Sequence, residues 1–377
     1  MIKNLLVGNG INIQFDKESY TSKSIVLRIL KNFDRSDFPS HIIVNYPYLL
    51  KNYLGELYLE ARKAIKGEYD PYAIGTAEER SLKSFKEHYS SRLRDLQMTD
   101  IGFEDYYLIH DLFCHKNKVD NPDQFYIREA MKIAYLYSIY NDGKLELLYK
   151  AYSSKLIKEL LSYNCIFTTN YDSNIELATG KRIYHIHGSF SYKSDVYISD
   201  SLRNQLPDAP VKDITIDDDY YYLYSNAITT HSGAYKEFQL RQSSQANDCI
   251  EKMASAYSTN PSIKKEVDKW CESDNKLTKN MGFSIIYKVK HPDARFTDNY
   301  HFEEFKAMKG ELVILGLSPW NDFHIFECID SASISSCTFL YYHVEEIEEV
   351  KNLLPKLFKT NRLFFKEATV FWGNLYG

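Results

Sequence analysis

The chain opens with a short apolar run, Lys3 to Val7, that stops at Gly8-Asn9-Gly10, which reads as a buried strand entering a tight turn. From about Ser22 to Leu161 apolar residues recur every three or four positions. Helices are predicted over 56–66, 77–97, 104–114, 123–140 and 144–161, with turn signals at Asp70-Pro71, Asn121-Pro122 and Asn141-Asp142-Gly143. The period then changes. Residues 164–168 and 182–186 are β-type runs, and a polar stretch from about 191 to 300 follows in which only 237–257 and 262–272 look helical. Residues 311–315 form the clearest buried strand. After it the pattern predicts a helix at 323–331, a strand at 337–342, a helix at 344–358 and a closing strand at 368–372. Strand–helix alternation at this spacing predicts an α/β fold built on a parallel sheet with helices on both faces, and a large helical insertion after the first strand.

Composition narrows the function classes. The 377 residues carry 46 basic and 51 acidic side chains, a net charge of −5, which argues against a nucleic-acid binder working through bulk basicity. Apolar residues at 44% and charged ones at 26% fit an ordinary globular chain. No run of 18 apolar residues exists to span a membrane, and the N-terminal apolar run is too short for a signal peptide. Six cysteines, with no C-x-x-C pair, read as reduced thiols of a cytoplasmic protein and exclude a zinc ribbon. The 32 tyrosines suggest core edges and buried interfaces and carry no chemistry by themselves.

Four predicted strands end in small or polar residues: Val7 in Gly8-Asn9-Gly10, Phe167 in Thr168-Thr169-Asn170, Ile186 in His187-Gly188-Ser189 and Leu315 in Gly316-Leu317-Ser318. In a parallel sheet the carboxyl ends of the strands share one edge, where ligands bind at the point of strand-order reversal. Taken singly, each segment reads equally as a structural turn or a helix cap. The dinucleotide fingerprint also fails at Ile13, where glycine or alanine is required. The co-occurrence of the four is what points to one crevice.

The set Gly8-Asn9-Gly10-Ile11-Asn12, Thr168-Thr169-Asn170-Tyr171-Asp172 and His185-Ile186-His187-Gly188-Ser189 resembles the Rossmann-like, sirtuin-type NAD-binding core, and is most similar to the divergent sirtuin-like proteins of bacterial anti-phage defence. The resemblance covers the first 17 residues, 163–190 and 311–333. It implies a core of residues 1–17 and 163–377, interrupted by the polar stretch, with 18–162 as a helical insertion or lid. It further implies His187 as general base, Asn170 as the residue orienting water or the nicotinamide ribose, and Asp172 as the contact to the nicotinamide end. Gly8, Gly10 and Asn12, with Asn9 between them, match the phosphate-cradling turn. Thr168, Thr169 and Gly188 fall within the matching motifs, and Gly316 and Ser318 match the late motif near the adenosine. Asp322 and His324 are further candidates at that end, and His185 reads as a core residue.

Two departures shape the expected activity. Thr169 replaces the family's glutamine, and the zinc ribbon that braces a deacylase's peptide groove cannot be built. The resemblance therefore implies hydrolysis of NAD to nicotinamide and ADP-ribose, with NAD as substrate and no metal required. A non-catalytic NAD or ADP-ribose sensor is the alternative from another class, and an NAD-dependent deacylase the third. The resemblance also implies a regulated abortive-infection effector, a homo-oligomer and a partner such as a HerA–FtsK-type hexameric ATPase or another phage sensor. Direct nucleic-acid or membrane binding is not expected.

Overall fold

The computed structural model describes residues 2–39, 47–120, 123–198, 201–202, 216–230, 234–294 and 300–376. The predicted turn at Asn121-Pro122 lies outside them. Six strands form one sheet: β1 (Lys3–Val7), β2 (Cys165–Thr168), β3 (Tyr184–His185), β4 (Gly310–Leu315), β5 (Ile334–Tyr341) and β6 (Leu363–Glu367). All pairings are parallel and the order is β3-β2-β1-β4-β5-β6, that of a Rossmann-like sheet. The chain steps outward from β1 to β3 and then returns to lay β4 on the other side of β1. The order thus reverses between β1 and β4.

The central strands are apolar on both faces because both are covered. Leu5, Leu6 and Val7 of β1 are buried, as are Ile166 of β2 and Leu312, Ile314 and Leu315 of β4. On one face Leu5, Val7, Ile166 and Leu315 pack with Leu156 and Leu160 of helix Ser154–Ser162. Ser153 starts that helix by accepting the Leu156 amide at 3.1 Å.

The closing element differs from expectation. Residues 368–372 do not form a strand. The strand is β6, and helix Ala368–Tyr376 follows it directly. Ala368, Trp372 and Leu375 are the buried members of this segment, a spacing of four and three that lays one helical face on the core. Its β-branched and aromatic residues mimic a strand in composition, and periodicity over nine residues decides against one. The helix expected over 77–97 stops at Tyr89, and that over 344–358 is broken into Glu345–Leu353 and Pro355–Lys359 at the proline.

The described residues fall into two compact units. One comprises 1–191, 227–237 and 300–377, and so holds the sheet together with the helices between β1 and β2. Among those helices Asp105–Asn117 is buried on nearly every side, and Tyr106, Tyr107 and Tyr135 are fully enclosed, which accounts for part of the tyrosine excess. The other unit comprises 192–226 and 238–299, and its interior includes Val267 of helix Pro261–Trp270 and Ile285 of helix Lys276–Lys290. No described helix is long and apolar enough to cross a membrane.

Candidate active site

The four strand ends singled out in the sequence lie side by side, because β3, β2, β1 and β4 are consecutive in the sheet. Between β1 and β4 the two backbones nearly touch. The amides of Gly8 and Gly10 donate to the carbonyls of Leu315 and Gly316, both at 2.9 Å. A Cβ on Gly8 or Gly10 would run into the backbone of Gly316, so these glycines serve close approach. Gly316 itself has φ +69° and Gly188 φ +83°, left-handed conformations suited to glycine. The side-chain amide of Asn9 anchors the turn on the Tyr20 carbonyl at 2.8 Å. Ser318 is half-buried, and its carbonyl accepts the Asp322 amide at 3.2 Å.

The β1, β2 and β3 ends are held together in the same way. The Thr169 amide and the Thr168 hydroxyl both donate to the Val7 carbonyl at 3.0 Å, and Thr168 Oγ1 accepts the Asn170 amide at 3.0 Å. The Asn170 side-chain amide reaches Gly8 O at 3.4 Å, and its Oδ1 accepts nothing among the described residues. From β3, the Ile186 amide donates to Thr168 O and the Phe190 amide to Tyr171 O, each at 2.9 Å. His185 has both ring nitrogens engaged, Nδ1 with Asn170 O at 2.8 Å and Nε2 with Glu176 at 2.6 Å. Burial would lower its pKa, but the Glu176 carboxylate outweighs burial and leaves it raised. It braces the loop.

Asp172 is buried, and its two oxygens are taken up within the protein. Oδ2 accepts the Asn12 side-chain amide at 2.7 Å, and Oδ1 accepts the Asn174 side-chain amide at 2.7 Å and the Asn174 main-chain amide at 3.2 Å. Burial raises its pKa, and these three donors oppose the rise. The contact also orients Asn12. With its NH2 turned to a carboxylate, Asn12 must aim Oδ1 the other way, where that buried atom has no partner. Glu146 stands nearby and accepts the Ser173 amide at 3.0 Å. Burial and then the Asp172 charge push its carboxyl up to about 7.

His187 and His324 meet across the sheet edge. Their strands are separated by β2 and β1, three strand spacings or about 14 Å, so the two loops lean toward each other over the intervening ends. The Nε2 atoms lie 3.1 Å apart. The ring planes differ by 13° and the centroids are 5.2 Å apart, further than the nitrogens by nearly two ring radii, so the imidazoles meet end-on. Among the described residues His187 Nδ1 makes no hydrogen bond, and His324 Nδ1 is buried without a partner. Burial first, and then the Lys236 charge, hold both rings well below the usual imidazole pKa, so both are neutral at pH 7.

Lys236 is the charged neighbour. It is buried and pairs with Glu104 at 2.8 Å and Asp322 at 3.7 Å. Burial would lower its pKa, but the two carboxylates outweigh it. His187, Asp322 and His324 are the one group of three among the described residues whose ligand atoms lie within 4.8 Å of one another, and so the one that could hold a metal ion. The ammonium beside Asp322 opposes a second cation there, and the end-on rings aim their Nε2 atoms at each other, 3.1 Å apart, rather than at a common ion.

The structure thus brings Asn12, Asn170, Asp172 and His187 to the ends of neighbouring strands. It adds Asn174, Glu146, Lys236 and Glu104, none of which sequence reasoning selected. Only Asn174 carried a signal, an amide two residues after Asp172 at a helix start. No protein-family model, no curated protein and no solved structure matches the chain.

Proposed function

We propose that the chain hydrolyses NAD, cleaving the nicotinamide–ribose bond to give nicotinamide and ADP-ribose. One observation carries the reading. Asn12 Oδ1, Asn170 Oδ1 and His187 Nδ1 come from adjoining strand ends and receive no hydrogen bond among the described residues. A set of neutral acceptors suits a ligand rich in donors, as ribose hydroxyls and a carboxamide NH2 are. The Rossmann-like order puts these atoms beside the strand-order reversal, where nucleotides bind.

In this reading the nicotinamide carboxamide donates to Asn12 Oδ1, and Asp172 acts on that end through Asn12. The diphosphate and adenosine lie along Gly8–Asn12 and Gly316–Ser318. The C1′–N bond breaks with its electron pair passing to the pyridinium nitrogen, which leaves neutral and needs no acid. Asn170 orients water against the developing cation. The water oxygen bonds to C1′, and its proton passes to His187 Nδ1. A weakly basic neutral imidazole suffices, because water attacks a carbon that is already strongly electrophilic. The resemblance to defence proteins supports the rest: residues 18–162 as a helical insertion that shields the site, self-association, and release of activity by a HerA–FtsK-type ATPase or another phage sensor, so that NAD is depleted only during infection.

The test is nicotinamide release from NAD by the full chain, with and without phage DNA or a candidate ATPase. His187→Ala and Asn170→Ala are each expected to lower release by at least ~100-fold with an unchanged urea midpoint. Near-wild-type release from either variant, or binding without turnover under every condition, would overturn the proposal.

A further inference from the structure

We infer that His324 is a positioning residue for His187, accepting the Nε2 hydrogen of that ring so that Nδ1 is the nitrogen left to take a proton. The consequence for catalysis rests on the NAD-cleaving reading above, whereas the contact does not. Two neutral imidazoles with Nε2 atoms 3.1 Å apart and nearly parallel planes can share one hydrogen between them. Among the described residues nothing else holds either ring by a hydrogen bond: His187 makes this one alone, and His324 Nδ1 has no partner. When water attacks C1′, its proton goes to His187 Nδ1 and the ring becomes an imidazolium carrying hydrogen on both nitrogens. Its Nε2–H must then point at an acceptor. His324 Nε2 lies in line to be that acceptor, with its own hydrogen on Nδ1, and an N–H⁺···N bond of this kind is charge-assisted. Without His324 the cation would be buried beside the Lys236 ammonium with its Nε2–H unpaired. The proton count closes: one leaves water, one reaches His187, and the shared hydrogen stays between the rings.

His324→Phe keeps a ring and removes the acceptor, whereas His324→Gln keeps a carboxamide oxygen able to reach the same place. With the full chain, kcat for nicotinamide release is expected to fall roughly 100-fold in His324→Phe, with KM changed less than about twofold and part of the loss recovered in His324→Gln. Independently of turnover, protein labelled with 15N-histidine should show scalar coupling between Nε2 of His187 and Nε2 of His324 across the shared hydrogen, lost in His324→Phe. Wild-type kcat in His324→Phe, a parallel loss in KM with no recovery by glutamine, or the absence of that coupling would each overturn the inference. So would stoichiometric Zn2+ binding that needs both histidines, because the rings would then be ligands. If wild-type protein released no nicotinamide while the coupling was present, the NAD-cleaving reading would fail and the contact would stand.

Discussion

Gly316→Ala probes the contact at the centre of the sheet edge. Gly316 has φ +69°, and there an added Cβ would lie 2.7 Å from Gly10 Cα, 2.9 Å from Gly10 N and 3.0 Å from Gly10 C. A left-handed conformation costs an L-residue ~1–2 kcal/mol. The atoms met are all backbone, so no side chain can swing aside, and overpacking of that kind costs ~1–3 kcal/mol. The sum is ~2–5 kcal/mol against a total stability of ~5–15 kcal/mol for an ordinary domain. Gly316→Asn separates the two parts, because asparagine tolerates the left-handed region while its Cβ still meets Gly10. It should therefore lose ~1–3 kcal/mol. Gly55→Ala is the control. Gly55 sits inside helix Pro47–Ile65, and an added Cβ there meets nothing within 4 Å. That variant should gain ~0.5–1 kcal/mol. Urea denaturation followed by circular dichroism reads all three. A wild-type midpoint for Gly316→Ala would refute the backbone-on-backbone contact, and full rescue by asparagine would leave only the φ argument.

Two further outcomes follow from buried charge. Glu146 in the folded protein holds its proton up to about 7, against 4.5 ordinarily, so its contribution favours folding most below pH 4.5 and is lost as pH rises toward 7. Glu146→Gln should remove that fall, worth up to ~3 kcal/mol before solvent screening discounts it, and raise the urea midpoint more at pH 8 than at pH 4; equal changes at both would exclude the assignment. Lys236→Met leaves Glu104 and Asp322 without their shared cation, and should cost ~3–5 kcal/mol at pH 8, read by the same denaturation; a loss below ~1 kcal/mol would mean that water already screens the group.

The sheet was legible where burial on both faces imposes a continuous apolar run, as in Leu5-Leu6-Val7 and Leu312 to Leu315. The strand ends were legible because glycines are needed where the β1 and β4 turns press together. Residues 368–372 read as a strand because their types favour strands, while the choice of helix is made by Trp372 and Leu375 reaching a core that sequence does not display. The site was legible in its strand-end residues and not in their partners. Lys236 stands in a polar stretch with no local pattern, and only the fold sets it against Glu104 and Asp322, more than 80 residues away on either side. Glu146 is invisible for the same reason, since its altered acidity comes from enclosure beside Asp172.

Charge placement then bears on how a dinucleotide would lie. Asp172 is a buried carboxyl tied to Asn12 at the β1–β2 ends, and Lys236, in helix Ala234–Thr259, stands beside the histidine pair in ion pairs with Glu104 and Asp322. A ribose developing positive charge would be favoured toward Asp172. In the proposed reaction the nicotinamide end would therefore lie near Asn12, and the histidines would start as neutral rings, which burial first and the nearby ammonium second favour. A base kept weak by burial and then by a neighbouring cation is ill-suited to deprotonating an ordinary alcohol. It suits a reaction in which bond breaking to the leaving group runs ahead of water attack, because the proton then becomes acidic only as the new C–O bond forms. Burial, with the lysine's charge added, lowers the histidines' basicity, and in the proposed reaction that would suit a leaving group that departs unaided, as a pyridinium does.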